Sequence, residues 1–334
     1  MKPQALADKT LPILPLLACP LCGEPFSLPC FSLTNAPPPN SHSLICTHNH
    51  CFDLSRKGYI NLAPSHSQQA DNYHASLFEC RRQLFQQGFY APVMQAIGDA
   101  IAAYAPTNQP FAVLDAGCGE GSYPCQIANR FPQARVIGLD LSRDAITAAA
   151  KLSANMPTTN KPAIGMPAIN QSATAESTVT KPATANPTTA KYHPNHPHWL
   201  IGNINRLPIR SNSLSFLLNI LTPADYAEFS RVLRKDGILI KVIPGKDYLA
   251  EVRACISSQL QNDEYENERV FKHLQSHAAL LERQSLRHTY TVTPEQAALF
   301  ARMTPMTTHL SMEELECISF SQITIHLELV ICNI

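Results

Sequence analysis

The chain lacks a surplus of charge of either sign: 26 Lys and Arg balance 26 Asp and Glu over 334 residues. No global basic field announces a nucleic-acid partner, so any RNA binding has to come from local patches. It also lacks an apolar run approaching the ~20 residues that span a bilayer. The opening stretch has no signal-peptide shape, because its short apolar run is broken by Pro12 and Pro15. Eleven cysteines without such a signal point to a reducing cytoplasmic compartment, where clustered thiols bind metal or lie buried. Residues 153–198 carry few charges and show no apolar period. Rich in Ala, Thr, Pro and Asn, they cannot bury enough surface to offset the entropy of ordering, and they read as a disordered insertion.

What is present begins after a leader, 1–17, that reads as loosely ordered. Cys19-Pro-Leu-Cys22 is a tight metal-binding turn, and Cys46-Thr-His-Asn-His50 follows after 23 residues. Two short pairs of soft or borderline ligands can close a tetrahedral zinc site that replaces a core this segment lacks. Cys46 with His50 is preferred over Cys46 with Cys51. His48 lies within reach of the same place, and Cys30 is an outside candidate in the variable interval, whose Ala36–Asn40 reads as loop. Next comes Phe52–Leu62, where Arg56 and Lys57 beside an exposed-looking Tyr59 suit a phosphate and a stacked base, or equally a charged turn before a strand. The zinc-binding, RNA-recognition module is thus placed at 18–62 and a helical linker at 63–104. Within that linker the paired Arg81 and Arg82 suit either RNA or, more simply, a solvated helix face.

The organising stretch is Phe111-Ala-Val-Leu-Asp-Ala-Gly-Cys-Gly-Glu-Gly121, an apolar strand running into a glycine turn and a helix start. Gly117, Gly119 and Gly121 let the backbone pass close under a ligand, with Asp115 beneath them and Cys118 and Glu120 inside the turn. The G-x-G-x-G spacing puts the third glycine one residue early for a dinucleotide. A helix from Ser122 to Phe131, a strand over 135–139 and Asp140 at its end complete the set, and an acid there can accept both ribose hydroxyls. The arrangement resembles the S-adenosylmethionine site of Rossmann-like methyltransferases.

In such a sheet Asn203 is expected to bond the adenine edge, with the backbone of Ile204 helping. Strand 214–221 leads to Asp225, a candidate for the acceptor of a substrate proton. Pro244 to Tyr248 opens a loop over the pocket. The alternating run Ile323–Leu329 is expected to complete the sheet at one edge. The fold class is therefore α/β, a Rossmann-like class I methyltransferase sheet over 105–334 with a small N-terminal zinc-binding module.

The ordered set C-P-L-C, C-x-x-x-H-x-F-D, K-G-Y-I-N-L, R-R with G-F-Y-A-P, L-D-A-G-C-G-E-G, R-V-L-R-K-D-G, P-G-K-D-Y-L and M-T-P resembles the large-subunit ribosomal RNA guanine-N1 methyltransferase family, which contains the tylosin-resistance enzymes. The resemblance covers nearly the whole chain apart from the leader and the insertion. It implies methylation of guanine N1 in a 23S rRNA hairpin, with Cys19, Cys22, Cys46 and His50 as zinc ligands. It also implies Tyr90, Gly119 and Glu120 as contacts of S-adenosylmethionine, and a homodimer whose cleft holds RNA. Tyr248 stands where some relatives have His. Two rivals share parts of this pattern: a small-molecule methyltransferase, and a non-catalytic zinc-dependent RNA-binding or ribosome-assembly protein.

Overall fold

The computed structural model describes residues 12–27, 43–63, 75–156, 196–257 and 267–334. Order begins earlier than the sequence suggests. Leu14–Leu16 form a 3-10 turn in which Ile13, Leu16 and Leu17 are buried, and the Ala18 amide donates to the Pro208 carbonyl at 3.0 Å. Residues 13–17 are therefore packed and not a loose leader, three buried aliphatic side chains at about 1.5–3 kcal/mol each offsetting much of the entropy of ordering so short a segment.

The head is a three-stranded antiparallel sheet of β1 (Phe26–Ser27), β2 (Ser43–Cys46) and β3 (Cys51–Asp53), in that order. Cys30 and the expected loop at 36–40 lie outside the described residues. β4 (Tyr59–Asn61) stands outside the three-stranded sheet, tied to the head by a bridge between Leu54 and Ile60. It pairs in parallel with β7 (His198–Ile201) and forms one edge of the large sheet.

Helices α1 (Ala75–Gln86) and α2 (Ala91–Tyr104) are separated by Gly88, whose φ of 86° the helix cannot continue through. Leu84, Phe89, Val93, Ile97 and Ile101 are buried in the main core, so the pair is part of the methyltransferase body and not a linker. β5 (Phe111–Ala116), α3 (Ser122–Arg130), β6 (Ala134–Asp140) and α4 (Arg143–Ala154) follow as the sequence places them. The Ser142 hydroxyl caps α4 by accepting from the Ala145 amide at 3.2 Å. α4 runs through Ser153 and Ala154, and Trp199 Nε1 donates to Ser153 Oγ at 2.9 Å. Both ends of the 153–198 segment thus belong to the body, while 157–195 lies outside the described residues.

The chain continues through β8 (Leu214–Ile220), α5 (Tyr226–Val232), β9 (Leu233–Pro244), α6 (Ala250–Cys255), α7 (Asn267–Gln275), β10 (Ala279–Thr291), α8 (Pro294–Arg302), α9 (Met312–Glu316) and β11 (Gln322–Asn333). The sheet order is β10-β11-β9-β8-β5-β6-β7-β4, parallel except for β11, which is antiparallel to both neighbours. β11 is therefore interior, and β10 is the edge the sequence assigns to 323–329. Ten consecutive buried residues in β11 match cover on both faces, whereas β10 is mostly exposed. Along β5, Phe111 and Val113 enter the core on one face, and Ala112, Leu114 and Ala116 the core on the other. Its carboxyl end meets β6 and β8 where the strand order reverses, which places the ligand crevice over the glycine turn.

Candidate active site and metal centre

The metal centre is built by two turns. Gly23 at φ 80° and Asn49 at φ 62° let each turn reverse tightly. The four ligand atoms of Cys19, Cys22, Cys46 and His50 lie within 4.8 Å of one another. Cys22 Sγ is 3.7 Å from Cys46 Sγ, and His50 Nδ1 is 3.5 Å from Cys19 Sγ and 3.4 Å from Cys46 Sγ. A tetrahedron with Zn–S of about 2.3 Å and Zn–N of about 2.0–2.1 Å has edges of nearly these lengths. Three thiolates and an imidazole with no open position suit a structural zinc. Burial pushes the Cys19 thiol up to about 11, while on Cys46 the same effect is outweighed by backbone N–H groups of His50 and His48. A divalent cation would hold all three as thiolates. Cys51 and His48 are exposed and outside this cluster.

At the glycine turn, Gly117, Gly119 and Gly121 all have positive φ. A Cβ on Gly117 would lie 2.6 Å from Thr222 Oγ1, and one on Gly121 would lie 2.5 Å from the Trp199 ring. The Gly119 amide donates to Asp140 Oδ2 at 2.9 Å, and the Ser142 amide to Oδ1 at 2.8 Å. Asp140 is thereby aimed from the end of β6, with lone pairs left for a ribose diol.

Both carboxylate oxygens of Asp115 and the Tyr123 hydroxyl are buried without a partner among the described residues. Burial pushes the Asp115 carboxyl well up, and the nearby Asp140 and Glu120 push further. Burial also raises Asp140, against the amides of Ser142 and Gly119, and Glu120, against the charge of Arg81. Of these three desolvated acids around one backbone hollow, Glu120 and Asp140 feel the charge of Arg81, and Asp115 has no cation acting on it among the described residues. S-adenosylmethionine carries a sulfonium, a ribose diol that would suit Asp140 and an ammonium that would suit Asp115, and the residues present fit it.

Above the hollow, Tyr90 and Tyr248 are buried with their hydroxyls 3.0 Å apart, and Phe85 stacks on Tyr90 with centroids 4.7 Å apart. Burial pushes the Tyr90 phenol well above its usual range, so it serves as a neutral hydrogen-bonding group. Cys118 is buried in the turn, and burial raises its thiol too. Asn203 Oδ1 accepts from the Asn205 amide at 2.9 Å, and Ile204 follows it at the carboxyl end of β7.

The structure does not gather the four residues singled out for RNA. Arg56 and Lys57 are exposed at the tip of a turn closed by Gly58, but Tyr59 is buried among Trp199, Cys118 and Ile146 and cannot stack a base. Arg82 is paired with Glu79 on its own helix. Arg81 turns the other way, with NH1 3.9 Å from where a Gly119 side chain would begin. Asp225 caps α5 by accepting from the Glu228 amide at 3.0 Å, and it lines a groove with Tyr226, His273 and His277. Sequence reasoning missed Tyr123, Thr222 and Trp199. Only Trp199, the one tryptophan in the chain, carried any signal.

Both parts of the chain are similar to known proteins. Residues 17–70 match the model described as RlmA, N-terminal, a zinc ribbon, and residues 113–175 match a methyltransferase domain. The 23S rRNA (guanine(748)-N(1))-methyltransferase of Streptomyces fradiae is 23% identical over 322 residues, covering 95% of this chain and 96% of its own. The YxjB protein of Bacillus subtilis (strain 168), which carries the provisional name 23S rRNA (guanine-N(1)-)-methyltransferase, is 29% identical over 87% of this chain and 86% of its own. Among solved structures, the YcgJ protein of Bacillus subtilis is similar with a TM-score of 0.41 and 14% identity, over 71% of this chain and 96% of that one. The chain, an RlmA-type N-terminal zinc ribbon followed by a methyltransferase domain, is therefore a homologue of the 23S rRNA (guanine-N1)-methyltransferases.

Proposed function

We propose that the chain methylates N1 of a guanine in a hairpin of 23S rRNA, using S-adenosylmethionine as donor and zinc as a structural ion. One observation carries this reading: the similarity to named rRNA guanine-N1 methyltransferases covers 87% to 95% of the chain. A small-molecule enzyme would share the cofactor hollow but would have no use for the ribbon in front of it. The intact acids of the hollow argue against a non-catalytic protein.

The bound donor supplies an electrophilic methyl group on sulfur. The chain's own part is to hold the donor through Asp115, the glycine turn and Asp140, and to exclude water with Tyr90 and Tyr248. The acceptor enters beside the segment after β8. There Leu221, held at φ 51°, redirects the chain so that Thr222 lies against Gly117. Guanine N1 carries a proton at neutral pH, so an acceptor must take it. Asp225 is half-buried and engaged as a helix cap, which leaves placement of nucleophile, methyl group and sulfur in line as the larger contribution. Exposed Arg56 and Lys57 are the side chains offered to rRNA phosphates. No helix among the described residues is long and apolar enough to cross a membrane, and a cytoplasmic homodimer is part of the same proposal.

The test is mass mapping of 23S rRNA from cells with and without the gene. One guanine should lose about 14 Da on deletion, the mass of one methylene; unchanged maps would leave the proposal without a substrate.

A further inference from the structure

We propose that Arg81 is the anchor for the carboxylate of the donor's methionine moiety, so that the site recognises the amino-acid end of the molecule as well as its adenosyl end. This rests on the S-adenosylmethionine reading of the hollow and adds to it a residue outside the glycine turn.

The placement of Arg81 follows from how α1 packs. Leu77, Phe78, Cys80 and Leu84 are buried, and the following turn of this helix lays Arg81 over the glycine turn. Its NH1 and Phe78 Cε1 both lie 3.9 Å from the point where a side chain on Gly119 would start. They roof the space that the absent side chain leaves open. Nε donates to the Met303 carbonyl at 3.1 Å, which fixes the guanidinium plane and leaves its NH1 and NH2 groups as the remaining fork.

The charge of that fork has no carboxylate in ion-pairing range among the described residues, whereas its neighbour Arg82 is clasped by Glu79. Asp140 is turned to the Gly119 and Ser142 amides instead. The charge of Arg81 reaches the buried Glu120 and Asp140 without an ion pair to either, and a planar cation held over a backbone turn in this way matches a carboxylate, which accepts two parallel N–H bonds. The opposite charge is provided for as well: Asp115, on the strand beneath the same turn, has two buried oxygens without a partner. An α-amino acid zwitterion satisfies both at once, its ammonium at Asp115 and its carboxylate at Arg81.

The experiment compares binding of S-adenosylmethionine and decarboxylated S-adenosylmethionine by calorimetry, on the full zinc-loaded chain. The second ligand keeps the sulfonium and the amine and lacks only the carboxylate. Wild type is expected to prefer the complete donor by about 10- to 100-fold, the scale of one charge-assisted contact. Arg81→Met should bind both ligands at about the level of decarboxylated donor on wild type, and Arg81→Lys should recover part of the preference. Equal binding of both ligands by wild type would overturn the anchor while leaving the donor reading intact, whether or not any variant folds. So would an Arg81→Met protein that keeps the preference or loses both affinities by the same factor. Wild type that binds neither ligand would overturn both.

Discussion

Asp115 is the residue on which the site's electrostatics turn. Without a ligand, folding at neutral pH must leave a partnerless carboxylate in a dry floor or hold it protonated. The sign follows from its raised native value: the penalty is absent below pH about 4 and grows as pH rises toward that value. Asp115→Asn is therefore expected to stabilise the ligand-free protein at pH 7 by about 1 kcal/mol or more and to weaken donor binding at least tenfold. Thermal melts with and without S-adenosylhomocysteine read both effects, and a ligand-free variant less stable than wild type would contradict the account. At this scale the sequence was legible where geometry follows spacing, as in the clustering of Cys19, Cys22, Cys46 and His50, the positive φ of the three glycines and the place of Asp140 at the end of β6. It was not legible where packing decides a direction. Arg81 and Arg82 are adjacent letters, yet only the burial of Leu77, Phe78 and Leu84 determines that one looks into the hollow and the other along the helix. Tyr59 looked exposed beside two cations and is buried because its strand joins a sheet.

Elements long enough to show a period, from β5 through α4 and again β8, were readable in order. β4 was not, since a three-residue strand takes its partner, β7, from about 140 residues away. The exchange of β10 and β11 had the same cause: alternation suggests an edge, but cover by helices on both faces is a tertiary fact. Another such fact joins β8 to β9. Lys241 is buried, its ammonium donates to Asn219 Oδ1, and Asn219 Nδ2 donates to the Pro223 carbonyl at 2.9 Å, tying the sheet to the segment beside the acceptor. Burial pulls the Lys241 amine from 10.5 down to about 8. The unfolded chain thus binds the extra proton above pH about 8, so this group makes stability rise with pH. Cys332 beside it is raised from 9.0 to about 11 and acts oppositely above pH 9. Urea denaturation between pH 8 and 9 should show a rising contribution in wild type that Lys241→Met abolishes, and parallel profiles would contradict the assignment.

The whole molecule shares its cores across the boundary that motifs suggest. Leu44 and Cys46 of the ribbon lie in one buried cluster with Leu214, Leu217 and Phe229 of the methyltransferase sheet. Removing zinc with a chelator should therefore release one metal per chain and lower the melting temperature of the main transition by several degrees. A ribbon that melts alone, leaving the main transition where it was, would show the two parts to be independent. The same continuity holds the ribbon fixed against the methyltransferase sheet. The central claim is that the donor hollow and the metal head serve one substrate. The direct measurement is transfer of labelled methyl from S-adenosylmethionine to unmodified 23S rRNA by the purified zinc-loaded protein, with the product nucleoside identified. The expected result is N1-methylguanine at a single hairpin position, lost in Asp115→Asn. A protein that binds the donor with full affinity yet puts no methyl group on that RNA would contradict it.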